Sequence, residues 1–524
     1  MPPTSTHAAQ SGFLRSVEQY PDQVCLRWDG GTLTYAQMAE RAMRLANAVG
    51  DTSPVAILAG RTPTAYAGVL GTLMAGGAYV PLNTAYPADR NRVILERSGA
   101  SAVIADGEGL AQLPAILTET VPETLIVADD PVDPPVPIDA RHPVVSPRDS
   151  RAAFASRTTV ERDAPAYLMF TSGSTGVPKG VAVSHANVRA LVSRLSARYR
   201  LTSADRLSQM FDLTFDLSVF DQFMTWEAGA CLVCPSRADL VNPAGFIREH
   251  ELTVWFSVPS AAMFMRRLGG LAPGSLPSLR WSLFCGEPLP AELADAWSAA
   301  APGATLENLY GPTEVTVACT VYRWRGEASR PQCIHGIVPI GEPFPGLDVM
   351  LANASLQEVP AGDRGELMVS GDQVTLGYWN DPERTQAAFV VPPGRSAKYY
   401  RTGDVVTRRT PDAPLCYLGR MDHQVKILGH RVELLEIEAA LREATGRDSV
   451  AAAAWPRTES GAGGVVAFVS GGPVDAPGVR ATLALRLPPY MVPRQIHELP
   501  ELPLTANGKT DRRALELLLE RREP

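Results

Sequence analysis

A stretch rich in hydroxyl groups and glycine follows an apolar strand pattern and contains a single lysine. It covers residues 171–180 and comes directly after the strand-like residues 167–170. Its hydroxyls, the backbone N–H groups that glycine leaves unobstructed and the charge of Lys179 can together hold a phosphate group. The order differs from that of a P-loop, because Pro178 precedes the lysine and Gly180 follows it. The stretch therefore predicts a phosphate site of a different class; an ordinary surface turn is the alternative for this composition.

Further motifs accompany this stretch in a fixed order. They occupy residues 33–35, 75–82, 308–314, 365–367, 377–379, 400–404, 419–426 and 507–509. Over roughly residues 30 to 515, their order and spacing resemble the adenylate-forming superfamily. Within that superfamily they are most similar to the amino-acid adenylation domain of nonribosomal peptide synthesis, which activates an amino acid with ATP.

Composition agrees with a large cytoplasmic enzyme. The chain has 524 residues, of which 45% are hydrophobic and 20% charged, so it can bury large cores. A net charge of -8 argues against a nucleic-acid-binding protein. The first residues show no secretory signal, and we expect a cytoplasmic protein. Seven cysteines, an odd number, favour reduced thiols over a disulfide framework. Cys231 and Cys234 have metal-like spacing, but their strand-like surroundings favour core thiols.

The elements that must position these motifs follow an α/β pattern. Apolar runs at residues 55–58 and 102–105 alternate with helical patterns such as 35–49, which predicts parallel-rich sheets covered by helices. The uncharged stretch 65–82 contains several glycines and ends near a proline, so it predicts a buried helix and strand rather than a membrane span. Residues 132–165 predict a loop or linker. From this pattern and from the resemblance, we predict a large N-terminal domain at 1–421 and a small mobile α+β domain at 422–524, with a hinge at Asp422.

The resemblance also implies a chemistry and the residues that carry it. A carboxylate attacks the α-phosphorus of ATP and pyrophosphate leaves, so positive charge must converge on two anions. Glu314 is in the position that binds Mg²⁺ in the family, and Lys509 is in the position of the catalytic lysine, with Thr313 beside the reacting groups. The residues implied in ATP binding are Thr171, Ser172, Gly173, Ser174, Thr175, Gly176, Lys179, Gly286, Glu287, Asn308, Tyr310, Gly311, Thr313, Asp404, Arg420 and Lys509.

The implied substrate is an α-amino acid with an apolar side chain of modest size. Asp216 matches the aspartate that pairs with the substrate ammonium in the amino-acid subgroup, although Asp212 stands in a similar setting one repeat earlier. A pocket without charged walls should reject charged side chains. Aligning the motifs gives the pocket positions Asp216, Leu217, Phe220, Phe256, Leu283, Cys285, Leu309, Val317, Ala318 and Lys509.

The choice among apolar amino acids stays open. The doubled motif at 211–218 and part of the pocket set resemble prolyl adenylating enzymes of pyrrole pathways, but Phe220, Phe256, Cys285 and Ala318 depart from them. Valine, isoleucine, leucine and modified relatives therefore remain alternatives to proline. An acyl- or aryl-CoA ligase would share the ATP motifs and is the rival class; the aspartate at 216 argues against it.

The family also implies a second step on a carrier protein. The amino acid would pass to the phosphopantetheine thiol of a carrier, and because the sequence continues only briefly after Lys509, we expect a carrier supplied in trans. Two residues of the small domain depart from the family pattern: Leu428 replaces a common arginine, and Leu435 a common glycine. Both lie on the element that faces the carrier arm in the family, so they bear on the second step.

Overall fold

The structure is a computed structural model that describes residues 7–129, 138–147, 160–173, 177–421, 424–458, 461–503 and 510–521. It has the mixed α/β architecture that the sequence predicts, with a large N-terminal part and a smaller C-terminal part. The strands are β1 (Val24–Trp28), β2 (Gly31–Thr34), β3 (Val55–Leu58), β4 (Tyr79–Leu82), β5 (Ala102–Ala105), β6 (Leu125–Ala128), β7 (Val144–Val145), β8 (Pro165–Thr171), β9 (Lys179–Ser184), β10 (Arg206–Ser208), β11 (Cys231–Val233), β12 (Val254–Ser257), β13 (Trp281–Phe284), β14 (Thr305–Tyr310), β15 (Thr320–Arg323), β16 (Glu342–Pro343), β17 (Asp348–Ala352), β18 (Arg364–Ser370), β19 (Gly377–Tyr378), β20 (Phe389–Val390), β21 (Tyr399–Thr407), β22 (Cys416–Arg420), β23 (Gln424–Ile427), β24 (His430–Glu433), β25 (Val450–Ala454), β26 (Arg457–Thr458), β27 (Gly461–Ala462), β28 (Val465–Ser470) and β29 (Gln495–Leu499).

Helices cover the sheets and connect their strands. They are α1 (Ser11–Gln19), α2 (Tyr35–Val49), α3 (Pro63–Met74), α4 (Ala88–Ser98), α5 (Gly107–Ile116), α6 (His185–Tyr199), α7 (Leu217–Ala228), α8 (Arg237–Val241), α9 (Pro243–Glu249), α10 (Pro259–Arg267), α11 (Ala291–Ala300), α12 (Pro382–Ala388), α13 (Leu434–Thr445), α14 (Ala476–Ala484) and α15 (Arg512–Glu520). Short 3₁₀ helices occur at Thr313–Val315, Gly326–Gln332 and Pro489–Met491.

Two large sheets form the core of the N-terminal part. One has the strand order β19-β9-β8-β4-β3-β5-β6-β7, and the other β16-β15-β14-β13-β12-β10-β11-β1-β2. Their central strands are parallel, and β3 and β5 are buried along their whole length. Short, wholly apolar strands are typical of a sheet covered on both faces. The predictions for residues 35–49, 55–58 and 102–105 are confirmed as α2, β3 and β5.

A third, antiparallel sheet brings the late motifs together. Its order is β17-β18-β21-β20, and β22 pairs with β21. In that pairing Asp404 lies opposite Arg420 in register. Two motif residues that are distant in sequence therefore come together through a simple antiparallel ladder.

The C-terminal part contains two small sheets of its own. The first has the order β24-β23-β27-β26, the second β25-β28-β29, and α13 and α14 pack on a separate apolar core. This is the predicted α+β character, and α13 begins at Leu434, directly after Glu433. Because residues 422–423 lie outside the described residues, the hinge at Asp422 and the domain boundary stay predictions.

Three smaller expectations can be compared with the structure. The uncharged stretch 65–82 forms most of α3 followed by β4, as predicted, and no described helix is long and apolar enough to cross a membrane. All seven cysteines are unpaired, and only Cys333 is not buried. Residues 132–137 and 148–159 of the predicted linker 132–165 lie outside the described residues. Between these two segments the structure has a short strand, β7, which pairs with β6, where the sequence predicts a loop.

Candidate active site

A cavity of about 480 Å³ lies where the carboxyl ends of the central strands meet the small sheets. Residues from the N-terminal and the C-terminal parts both line it. Ligands of α/β proteins commonly bind beyond the carboxyl ends of parallel strands. The predicted site residues on its wall are Thr171, Ser172, Asp216, Leu217, Cys285, Gly286, Glu287, Asn308, Leu309, Tyr310, Gly311, Thr313, Asp404 and Arg420.

The glycine-rich stretch connects two antiparallel strands of the first large sheet. Thr171 ends β8 directly opposite Lys179, the first residue of β9. Gly173 is required by a close approach, since a Cβ atom there would lie 2.0 Å from the carbonyl oxygen of Val177. The Thr171 hydroxyl is buried without a partner among the described residues, so it is free to meet a ligand oxygen. Ser174, Thr175 and Gly176 lie outside the described residues.

Glu314 has two cationic partners. Its Oε1 accepts from Lys179 Nζ at 3.1 Å and from the Tyr378 hydroxyl at 2.8 Å. Its Oε2 accepts from Arg431 Nη1 at 2.7 Å. Burial alone would raise the pKa of this carboxyl, but the adjacent Arg431 and Lys179 hold it well below its usual range. The same site lowers the pKa of Lys179 to about 8, through burial and through repulsion by Arg431.

Polar groups suited to a nucleoside line another part of the cavity. Arg420 Nη1 donates to Asp404 Oδ1 at 2.7 Å, and the Tyr310 hydroxyl donates to the other carboxylate oxygen. Asn308 donates from Nδ2 to the carbonyl of Pro339 at 2.9 Å, which leaves its buried Oδ1 without a partner in the described structure. An oriented amide oxygen of this kind can accept from the exocyclic amine of a purine.

The turn at 286–287 lines the cavity next to the small-domain hairpin, since the Gly429 backbone interacts with Glu287. Gly286 has a φ of +89°, a conformation that a side chain would disfavour. Glu287 accepts from the Ser260 N–H at 2.7 Å, and burial raises the pKa of its carboxyl to about 7. This rigid turn places a backbone edge against the cavity.

Of the two aspartates that the sequence offers for a substrate amine, Asp216 lines the cavity. It precedes α7 but makes no capping hydrogen bond to that helix, and its carboxylate instead interacts with the Thr313 side chain. Burial raises the pKa of Asp216 to about 6, against the opposing effects of Thr313 and Lys426. Asp212 instead accepts from the backbone and hydroxyl of Thr214 in a tight turn.

The predicted apolar pocket divides into two layers. Leu217, Cys285 and Leu309 lie on the cavity wall. The remaining positions do not reach that wall; they are buried behind it in the same core, where the Phe220 and Phe256 rings lie 4.7 Å apart. The residues of this second layer are Phe220, Phe256, Leu283, Val317 and Ala318.

One wall of the cavity is the hairpin of β23 and β24, which is not among the site residues predicted from the sequence. Lys426, His430 and Arg431 of this hairpin all line the cavity. The His430 ring stacks on Tyr490 at 3.8 Å and on Phe215 at 5.5 Å. Lys426 already stands inside the motif at 419–426, so that motif was the available signal. Lys509 and Asp422 lie outside the described residues.

Comparison with known proteins decides the family. The AMP-binding enzyme family matches residues 13–379, and the AMP-binding enzyme C-terminal domain matches residues 436–509. The chain belongs to the AMP-binding enzymes. Tyrocidine synthase 3 of Brevibacillus parabrevis is 34% identical over 514 residues, which are 96% of this chain but only 8% of that protein. This AMP-binding enzyme is thus an AMP-forming ligase of the nonribosomal peptide synthetase adenylation type, and it uses ATP.

Solved structures of relatives agree with this assignment. The Vibrio cholerae adenylation domain AlmE, in complex with glycyl-adenosine-5'-phosphate, has a TM-score of 0.86 and 33% identity, with 99% of both chains covered. NpsA-ThdA from Klebsiella oxytoca, an artificially fused Adenylation-PCP di-domain, has a TM-score of 0.76 and 25% identity, with 94% of this chain and 93% of that chain covered.

Proposed function

We propose that this AMP-binding enzyme joins an α-amino acid with an apolar side chain of modest size to AMP, releasing pyrophosphate, and then passes the aminoacyl group to the phosphopantetheine thiol of a carrier protein. The observation that carries the proposal is Asp216, a buried carboxylate on the cavity wall beside Leu217, Cys285 and Leu309. A substrate ammonium would supply the opposite charge that a buried carboxylate needs.

The nucleoside end of ATP would lie against Asp404 and Asn308. The Asp404 carboxylate is suited to accept from the ribose hydroxyls, and Arg420 and Tyr310 already hold it in place. The free Oδ1 of Asn308 would accept from the adenine amine. Tyr310 and the turn at 286–287 would border the base. These contacts orient the α-phosphorus toward the amino acid, and positioning of this kind supplies much of the acceleration in phosphoryl transfer.

The phosphates would lie along residues 171–176 and Lys179. Glu314 would hold a Mg²⁺ ion, which commonly uses one or two carboxylates, once Lys179 or Arg431 releases one of its oxygens. When bound, the ion would offset the negative charge of the phosphates. The Thr313 side chain hydrogen-bonds Asp216. It would orient the carboxylate of the amino acid next to the phosphates.

We also propose Lys509 as the catalytic cation that bridges the substrate carboxylate and the nucleotide. Replacing it with alanine should reduce adenylate formation about 10²–10³-fold, the usual cost of losing one group that stabilises transition-state charge. Melting by circular dichroism should show an unchanged fold. Wild-type exchange in Lys509→Ala would contradict the role.

The wall beside Asp216 supports an apolar substrate. Leu217, Cys285 and Leu309 cannot neutralise a charged side chain, so a charge that contacts only these three residues would be buried without a partner. The side chains behind these three residues, which include Phe220 and Phe256, are buried and limit the depth of the substrate pocket. Discrimination by one methylene is worth only about 1–3 kcal/mol in such pockets, so proline and the branched aliphatic amino acids all remain candidates.

The deciding experiment is amino-acid-dependent ATP–pyrophosphate exchange with every proteinogenic amino acid. We expect exchange with a few apolar amino acids and none with charged ones. Incubation with the best amino acid and a holo-carrier offered as a separate polypeptide should then give an aminoacyl carrier by intact mass. Exchange only with fatty or aromatic acids lacking an amine, followed by transfer to CoA, would replace this proposal with the acyl- or aryl-CoA ligase alternative.

A further inference from the structure

The segment that carries Lys509 is held at both of its ends. The Asp511 N–H donates to the carbonyl oxygen of Pro503 at 2.8 Å, so the chain enters and leaves this segment at adjacent points. Asp511 also caps α15, because its Oδ1 accepts from the Ala514 N–H at 3.0 Å. The segment therefore ends at a capped helix start.

Arg512, the first residue of α15, ties this helix start to two other elements of the small domain. Its Nη2 lies 2.7 Å from Oε1 of Glu438 in α13, and its Nη1 donates to the carbonyl oxygen of Ala452 in β25. The Arg512 side chain is 16% exposed and that of Glu438 only 5%. Because a guanidinium donates from a rigid planar fork, two such contacts fix its orientation.

The pair of Arg512 and Glu438 completes the edge of a sheet. β25 is the outer strand in the order β25-β28-β29, and Ala452 pairs there with Ala467 of β28. The Ala452 N–H donates to Glu438 Oε1 at 2.9 Å, and its carbonyl accepts from Arg512. Buried backbone groups need partners of this kind. The pair is thus part of the small domain's core, unlike an ion pair at the surface.

The elements that this pair joins also border the active-site cavity. Ala454 of β25 and Glu516 of α15 both line it. On the other face of β25, Leu515 and Leu519 of α15 are buried in one apolar cluster with Ala451 and residues of β28. The start of α15 is therefore fixed relative to the cavity wall by polar and by apolar contacts.

We propose that Arg512, through its contacts with Glu438 and Ala452, is the positioning residue that presents Lys509 to the reacting groups. This inference rests on the proposed catalytic role of Lys509. Only Thr510 and Asp511 separate the lysine from the anchor, so loss of the anchor shifts the point from which the lysine side chain starts. A misplacement of about 1 Å can cost about 10²-fold in rate.

Pyrophosphate exchange kinetics test this role. Arg512→Gln should lower kcat by about 10–10²-fold. The KM values for ATP and the amino acid should stay nearly unchanged, because the binding contacts proposed at Asp404 and Asp216 belong to the N-terminal part. The matched control is Arg513→Gln, the same substitution at the next residue, whose side chain is exposed; we expect wild-type kinetics from it. Arg512→Lys keeps the charge but not the planar fork, and its loss of kcat should be smaller than that of Arg512→Gln.

A double-mutant cycle with Lys509→Ala separates positioning of the lysine from general damage. Once the lysine is absent, adding Arg512→Gln should bring no further loss of kcat. An equal loss in both backgrounds would overturn this inference and leave the role of Lys509 intact. Wild-type kcat in Lys509→Ala alone would remove the lysine assignment and this inference with it, while amino-acid-dependent exchange would still support adenylation.

Limited proteolysis gives a readout that does not depend on turnover. A lysine-specific endoprotease cuts after Lys509 and after the exposed Lys398, which serves as internal reference. Without its anchor the segment opens more readily, so Arg512→Gln should increase the ratio of cleavage after Lys509 to cleavage after Lys398, measured by intact mass. Wild-type kcat in a folded Arg512→Gln protein, an equal loss in Arg513→Gln, or an unchanged cleavage ratio would overturn the proposal.

Discussion

Asp216 lies on the cavity wall, and Glu314 lies outside that wall in contact with the lining residue Arg431; these two buried carboxylates have opposite surroundings. The carboxylate of Glu314 touches Lys179 and Arg431, and these cations lower its pKa despite its burial. No cation touches Asp216 within the described structure at ion-pair distance, and burial raises its pKa to about 6. The protein thus supplies positive charge at one carboxylate and leaves the other to be neutralised by a ligand. Under the proposed function, those ligands are a metal–nucleotide at Glu314 and a substrate ammonium at Asp216.

The substitution Glu314→Gln tests this difference between the two carboxylates, and we expect it to have the largest effect. It removes the proposed metal ligand, so we expect adenylate formation to fall about 10²–10³-fold, as for the loss of other groups that stabilise transition-state charge. Glu307→Gln is a matched control, because Glu307 is equally buried and also binds two cationic side chains, Arg198 and Arg323, but has no proposed role at the metal. Pyrophosphate exchange measured on both variants should separate a catalytic loss from the general effect of breaking a buried ion pair.

The second test asks whether Asp216 recognises the amine. Asp216→Ala should reduce kcat/KM for the amino acid about 30-fold or more, since truncating one partner of a buried charge pair costs about 2–5 kcal/mol. The des-amino analogue has no ammonium to lose and should be affected much less. Exchange kinetics with both substrates give the ratio; Asp212→Ala serves as control, and equal losses for the two substrates would assign Asp216 another role.

Local patterns in the sequence were sufficient to predict much of the fold. The apolar runs at 55–58 and 102–105 form strands with those bounds, because strands of a sheet covered on both faces are typically short and wholly apolar. The periodicity of 35–49 became α2, which begins with a capping box at Thr34. The segment 138–147 shows the limit, since a two-residue strand such as β7 has no periodicity to detect.

The site required information that the sequence does not carry locally. Asp212 and Asp216 follow phenylalanine and precede leucine alike, and only the start of α7 directs one of them to the cavity. The contact between Arg431 and Glu314 joins residues 117 positions apart, so it depends on how the small domain docks. Motif resemblance indicated both segments but not the hydrogen bonds between them.

A third test uses the pKa difference between the two carboxylates. With a pKa near 6, the ionised fraction of Asp216 falls about tenfold between pH 7 and pH 5, so kcat/KM for the amino acid should fall by about that factor. Glu314 stays ionised throughout this range because its pKa is held low. The des-amino analogue should therefore show a flatter profile. Identical profiles for both substrates would mean that Asp216 does not titrate in contact with the amine.

The smallest expected effect is on the free energy of unfolding. We expect it to change with opposite signs in Asp216→Asn and in Glu314→Gln. The pKa of Asp216 is raised from its ordinary value of 3.8 to about 6, so the folded state binds a proton that the unfolded state releases, and stability falls as pH rises through this window. At pH 7.5 without substrate, Asp216→Asn should thus be more stable, by up to about 3 kcal/mol, whereas Glu314→Gln should be less stable because Lys179 and Arg431 lose their partner.

Scanning fluorimetry from pH 3.5 to 7.5 can measure both signs. The melting temperature of Asp216→Asn should exceed that of the wild type at pH 7.5 and match it near pH 3.5, where Asp216 is protonated in both states. Asp212→Asn provides the control, since Asp212 already accepts hydrogen bonds from Thr214 and gains nothing from neutralisation. A stabilised Asp212→Asn, or an Asp216→Asn protein that melts below wild type at pH 7.5, would show that Asp216 already has a cationic partner before any substrate binds.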